Sequence, residues 1–142
     1  MSLDLYIIHK RTEEEIINEV REAKKNNIRL QTVDVEPTVW WENITHNLGQ
    51  MAKAVPVKEG TTLYDLLWHP GRAGFTRVEK EYIDLVEIGY NYLKNHPELK
   101  IYNPENGWGT YEGLVDFTKG YNFFLHSIKD YDNSEYLIEA SV

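Results

Sequence analysis

The chain has 142 residues, a formal net charge of −8 and no cysteine. That length suits one domain with a substantial core, and the missing thiols exclude disulfides, thiolate catalysis and cysteine-ligated zinc while fitting a reducing cytoplasm. The acidic balance disfavours binding of extended nucleic acid, because a protein that grips a phosphate backbone must neutralise it with cations.

At the N-terminus, Met1-Ser2-Leu3-Asp4 carries a charge at once and no apolar run approaches membrane length, so neither a signal peptide nor a membrane span is expected. Leu3, Leu5 and Ile7 alternate with Asp4, Tyr6 and Ile8, which predicts a short strand. Thr12 and Glu15 have the spacing of a capping box, opening a helix whose inward face is Ile16, Ile17, Val20 and Ala23. Asn26-Asn27 ends it. A second extended segment runs from Ile28 to about Trp41, with a change of phase that predicts a bulge near Gln31–Thr32. Pro37 marks its second half as an edge strand or strand end.

Asn43–Val55 reads as a helix with Ile44, Leu48, Met51 and Val55 as its buried stripe. Its other face gathers Asn43, His46, Asn47 and Gln50, where a solvated face would use Lys and Glu. Four uncharged hydrogen-bonding side chains there suit either a partly buried binding surface or an amide-rich cap on the preceding strand. His46 is expected to point into this cluster with Asn43 and Gln50, one neighbour setting its tautomer and the other ring nitrogen facing the pocket.

Pro56–Phe75 is irregular, with a short helix through Leu63, Leu66, Leu67 and Trp68 that His69-Pro70-Gly71 ends. Thr76 and Glu79 form another capping-box pair, and Glu79 to Asn95 is a long helix with Tyr82, Ile83, Leu85, Val86, Tyr90 and Leu93 inward. His96-Pro97 stops it. Pro104 forbids helix at Asn103, Asn106-Gly107 is a turn pair, and Trp108 lies between two glycines. That indole is either a lid folded onto the core or a surface offered to a ligand. Thr110 caps the last helix, in which Leu114, Phe117, Tyr121, Phe124 or Leu125, and Ile128 share a face. Gly113 and Gly120, seven apart, predict close approach of another backbone or of a flat ligand. Asn133-Ser134 turns the chain into a final strand with Tyr136, Ile138, Ala140 and Val142 on one side. The order predicts a single α+β domain spanning 1–142, with a small three-stranded sheet packed against a layer of four to five helices.

No catalytic constellation stands out. His46, His69, His96 and His126 lack the spacing of a helical metal pair, no nucleophile elbow is present, and phosphate-loop patterns are missing. Neither a metal nor a cofactor is expected. Trp68, Trp108 and Tyr111 with Asn43, His46, Asn47, Gln50, Asn103 and Asn106 form a binding vocabulary for a flat polar ligand, possibly nucleotide-derived. Arg72 is a candidate for a forked phosphate contact. A small hydrolase or lyase using His46 as base with Glu105 or Glu112 as acid is the rival reading. An acidic inhibitor of a host protein, which predicts a patch and no pocket, is the third. A homo-oligomer through the sheet edge or a helix is compatible with the pattern.

WENITHNLGQMA and IYNPENGWGTYEGLVDF, together with the MSLDLY start, resemble a family of uncharacterised proteins of phages, prophages and some bacteria. Its members pair an NITHNLGxMA block with a later LW-x-P and a YNPENGWGxYEGLVxF block. Here these fall at Asn43–Ala52, at Leu67-Trp68 with Pro70, and at Tyr102–Phe117. The resemblance brings no activity or cofactor; it implies a small cytoplasmic protein serving as an accessory or counter-defence product, with the two outer blocks forming one site.

Overall fold

Alternation at the N-terminus becomes strand β1 (Ser2–His9), with Leu3, Leu5 and Ile7 fully buried on one face. The computed structural model describes residues 2–9, 17–18, 21–22, 24–26, 38–128 and 136–142. β1 is central in a three-stranded antiparallel sheet, between β2 (Thr38–Thr45) and β5 (Tyr136–Ser141). Strands β3 (Pro56–Lys58) and β4 (Thr61–Thr62) form a separate small hairpin. The helices whose bounds lie wholly within the described residues are α1 (Gly49–Lys53), α2 (Leu63–Trp68), α3 (Lys80–Lys94) and α4 (Tyr111–Ile128), with 3-10 turns at His46–Leu48 and Pro97–Tyr102. The α+β class and the small sheet on a helical layer are therefore as the element order predicts.

One cluster of buried residues joins Leu3, Leu5 and Ile7 to the inward faces of α2, α3 and α4. Trp40 extends it from β2, its ring centroid 5.9 Å from Phe117, 4.8 Å from Tyr121 and 6.3 Å from Phe124. Aromatic pairs of this kind add roughly 0.5–1.5 kcal/mol each beyond the area they bury.

Two helix ends share one solution. Pro70 and Pro97 have no N–H, so the carbonyls of Leu66 and Leu93 lose their ordinary donor four residues on. Tyr82 Oη donates to the Leu66 carbonyl at 2.8 Å, and Tyr111 Oη donates to the Leu93 carbonyl. Because the Tyr82 proton is committed to Leu66, Tyr121 must be the donor in the 2.7 Å contact between the two phenols.

Several expectations need correction. The helix expected to begin at Asn43 starts later, because Asn43, Ile44 and Thr45 pair with Asp4, Leu3 and Ser2 as the last residues of β2. Sheet pairing overrides their weak helical period, and Thr45 then caps the 3-10 turn by accepting the Asn47 N–H at 3.3 Å. The Thr76–Glu79 capping box does not form: Glu79 makes no side-chain cap, and Thr76 instead accepts the Ile138 N–H through its carbonyl at 3.0 Å. Arg77 thereby makes an antiparallel bridge to Leu137 of β5. Tyr90 is only half-buried and Val142 is exposed. Ile17 belongs to helical backbone but is 44 % exposed, not inward. The Thr12–Glu15 cap, Ile16, Val20 and Ala23, the bulge at Gln31–Thr32, Pro37, and the Asn133-Ser134 turn lie outside the described residues.

Candidate functional site

The end of β2 and the loop before α4 meet at Gly109. Its φ is +101°, a left-handed value, and a Cβ built there would lie 2.7 Å from Thr45 Cγ2 and 3.0 Å from Leu48 Cγ. Only glycine combines that backbone with so close an approach. The loop holds itself in shape: Gly107 N–H bonds the Pro104 carbonyl at 3.2 Å, and Asn106 Oδ1 accepts the Trp108 N–H at 2.9 Å. Thr110 Oγ1 accepts the Gly113 N–H at 3.0 Å and so caps α4. Across the junction, Asn47 Nδ2 reaches the Trp108 carbonyl at 3.4 Å.

Trp108 carries its indole outward, 71 % exposed, so the lid alternative does not hold. Beside it lies a cleft of about 680 Å³ lined by Ser2, Asn43, Ile44, Thr45, His46, Asn47, Asn106 and Trp108. That volume falls within the range of small-molecule sites. Among the described residues none of the lining side chains is an acid, a lysine or an arginine, in a chain of which 27 % is charged. A second cleft, about 600 Å³, shares Asn43, Ile44 and Thr45 and continues along α4 past Gly113 and Gly120. Nothing stands within 4 Å of a Cβ built at Gly120, so the expected close approach of another backbone is absent there and the glycines face the open groove.

His46 lines the first cleft and belongs to a hydrogen-bonded aromatic group. Its Nδ1 accepts the indole N–H of the buried Trp68 at 3.0 Å. Trp68 stacks on Tyr64 at 5.2 Å, and the Tyr64 hydroxyl contacts His69 Nε2 at 3.2 Å. His46 Nε2 is enclosed and meets no acceptor among the described residues. The neighbour that sets the histidine tautomer is thus Trp68, not Asn43 or Gln50.

The structure brings Asn43, His46, Asn47, Asn106 and Trp108 to one cleft, with Trp68 directly behind it. The other candidates belong elsewhere. Gln50 and Arg72 are exposed and line neither cleft, which leaves the forked phosphate contact without its arginine. Asn103 Oδ1 is bonded to the Tyr111 N–H at 2.8 Å, a loop-closing role, and Tyr111 is a buried prop for Leu93. Burial raises the Tyr111 phenol above its ordinary value despite Lys100 nearby. Glu112 pairs with Lys100 at 3.0 Å, and its own backbone N–H followed by Lys100 holds its carboxyl below the usual value. Sequence reasoning missed Ser2 and Thr45, which the register of β1 against β2 places at the cleft.

Among the described residues no cluster of three or more histidine, aspartate or glutamate side chains is placed to share a metal ion, and no helix is long and apolar enough to cross a membrane. No protein-family model matches the chain, and no curated protein and no solved structure is significantly similar to it.

Proposed function

We propose that the chain is a binding protein that sequesters a small, flat, polar ligand of nucleobase or nucleotide type in the cleft beside Trp108. The observation that carries this reading is an exposed indole, fixed by a self-bonded loop, at the rim of an uncharged cleft furnished with three amides and a histidine. Indole offers a stacking face, and the amides offer donors and acceptors to a ring edge. The lack of a lysine or arginine among the described lining residues favours recognition of the ring over recognition of a phosphate. On the resemblance to phage proteins, the biological setting we propose is an accessory, counter-defence role. The hydrolase reading, which names Glu105 or Glu112 as acid, is weaker for Glu112, which its backbone and Lys100 hold ionised and which is a poor acid. An inhibitor without a pocket fits poorly beside two clefts of this size.

Thermal-shift titration with nucleosides, nucleotides and cyclic nucleotides tests the proposal. A binder raises the melting temperature with the logarithm of ligand concentration. Trp108→Ala is expected to abolish that shift while changing the unliganded stability by less than about 0.5 kcal/mol, because the side chain is mostly in solvent. A panel that leaves the melting temperature flat, with calorimetry in agreement, removes this reading.

A further inference from the structure

We infer that a second copy of this chain docks on α4, the two helices antiparallel about a two-fold axis, so that Phe123 of each copy packs over Gly113 of the other. The inference does not depend on the ligand proposed above. Gly113, Asp116, Gly120, Phe123 and Ser127 are all exposed and succeed one another at steps of three and four residues. That is the spacing of a seam between two packed helices. The buried stripe of α4 already faces the core, and this exposed seam lies on the helix's other side. A single exposed phenylalanine is ordinary in itself. Phe123, however, is 78 % exposed and lines a groove of about 510 Å³ between α3 and α4 with Tyr90. On the other flank of the seam, Gly113 and Gly120 present backbone without a side chain to the 600 Å³ cleft. A bulky ring and a row of gaps thus lie on one face.

Charge complementarity selects both the occupant and its direction. Asp116 and Lys119 are exposed and form no ion pair among the described residues. In a parallel symmetric pair Asp116 would face Asp116 across the seam, and like charges there repel. Antiparallel packing, with the axis midway between Asp116 and Gly120, sets Phe123 opposite Gly113. It also gathers two Asp116 and two Lys119 around the axis with alternating sign, over the space that Gly120 leaves open. One patch that supplies both the knob and the gap, and both signs of charge, is self-complementary, as an isologous contact requires. Gly113 lines the cleft that shares Asn43, Ile44 and Thr45 with the site beside Trp108. The second copy therefore contributes an aromatic wall to that cleft. The net charge of −8 on each copy opposes association, so a weak dimer is expected, forming in the micromolar range.

The test is sedimentation velocity of the full chain at physiological salt with no ligand added, over a concentration series through the micromolar range. The wild type should pass from monomer to dimer as concentration rises. Phe123→Ala should weaken association by at least about tenfold, since it removes the central aromatic anchor. Its melting temperature in dilute solution should match the wild type, because the ring is mostly in solvent. Asp116→Lys and Lys119→Asp should each weaken the dimer by leaving four like charges at the axis, and the two together should restore it. That rescue belongs to an antiparallel pair and would not appear for a parallel one. A wild type that stays monomeric throughout overturns the inference, as does a dimer that Phe123→Ala leaves intact or a double reversal that rescues nothing. The monomeric wild type is also titrated with a basic amphipathic peptide of leucine and lysine. Binding that Phe123→Ala removes, without any self-association, assigns the seam to a different protein and overturns the inference as well. Failure of the dimer leaves the ligand reading to its own titrations, and a flat ligand panel leaves the dimer standing.

Discussion

Tyr82 and Tyr121 touch each other, yet their hydroxyls carry unequal weight. Tyr82→Phe leaves two groups without partners, the Leu66 carbonyl stranded by Pro70 and the Tyr121 hydroxyl. Tyr121→Phe removes a donor but leaves the Tyr82–Leu66 bond in place. A buried group left unpaired costs roughly 1–3 kcal/mol, against about 1 kcal/mol for an ordinary hydrogen bond. Denaturant unfolding should therefore rank Tyr82→Phe below Tyr121→Phe; the reverse order would contradict the assignment of donors. His46→Ala belongs to the same class, because it takes the acceptor from the buried Trp68 indole. Its expected cost is roughly 1–3 kcal/mol, readable from the melting temperature without any ligand.

Among the elements, two glycines on either side of Thr110 should respond in opposite directions. Gly109→Ala forces a left-handed φ of +101° on alanine and drives its Cβ into Thr45 Cγ2. A loss of at least about 1 kcal/mol and displacement of the Trp108 loop are expected. Gly120→Ala meets nothing within 4 Å in the middle of α4, and should raise stability by about 0.5–1 kcal/mol. Melting curves of the two variants decide both statements. The same elements show what was legible in the sequence. The apolar period of α4 named Leu114, Phe117, Tyr121, Leu125 and Ile128, and all are buried, because a long one-sided stripe has only one way to hide. Of the five residues at the cleft, Asn43, His46 and Asn47 were grouped on a wrong premise of one helix, while Asn106 and Trp108 were read from the turn chemistry of their loop. Asn43 reaches the site on a strand, and Ser2, opposite Thr45, comes from a strand that no local pattern links to it. Arg72 and Tyr111 misled for the opposite reason. Their chemistry suits a ligand, but sequence proximity did not say that Tyr111 would join the His96 N–H as a second donor to the Leu93 carbonyl.

At the scale of the whole molecule, the buried phenols tie stability to alkaline pH. Burial above all holds the Tyr82 and Tyr121 protons beyond the ordinary value of 10.0, with their mutual contact a smaller influence. The unfolded chain ionises near that ordinary value. Their contribution is thus complete below about pH 10 and shrinks as pH rises further, since the unfolded state then releases protons that the folded state keeps. Melting temperatures should fall more steeply above pH 10 in the wild type than in Tyr121→Phe, and parallel profiles would show that the pair does not govern the decline.

The two His-Pro helix ends also impose an order on synthesis. Leu66, at the end of α2, takes its hydroxyl from α3, and Leu93, at the end of α3, adds one from the first residue of α4 to the His96 N–H it already accepts at 3.3 Å. Each helix is finished by the helix made after it. A nascent chain that has emerged only as far as Gly109 holds neither Tyr111 for Leu93 nor Tyr121 for Tyr82, and it also lacks the stripe that closes the core. The fragment 1–109, which keeps Tyr82 for Leu66, should accordingly show little amide protection in the last turn of α3 by hydrogen exchange. Protection there equal to that of the full chain would mean that α3 is complete without α4.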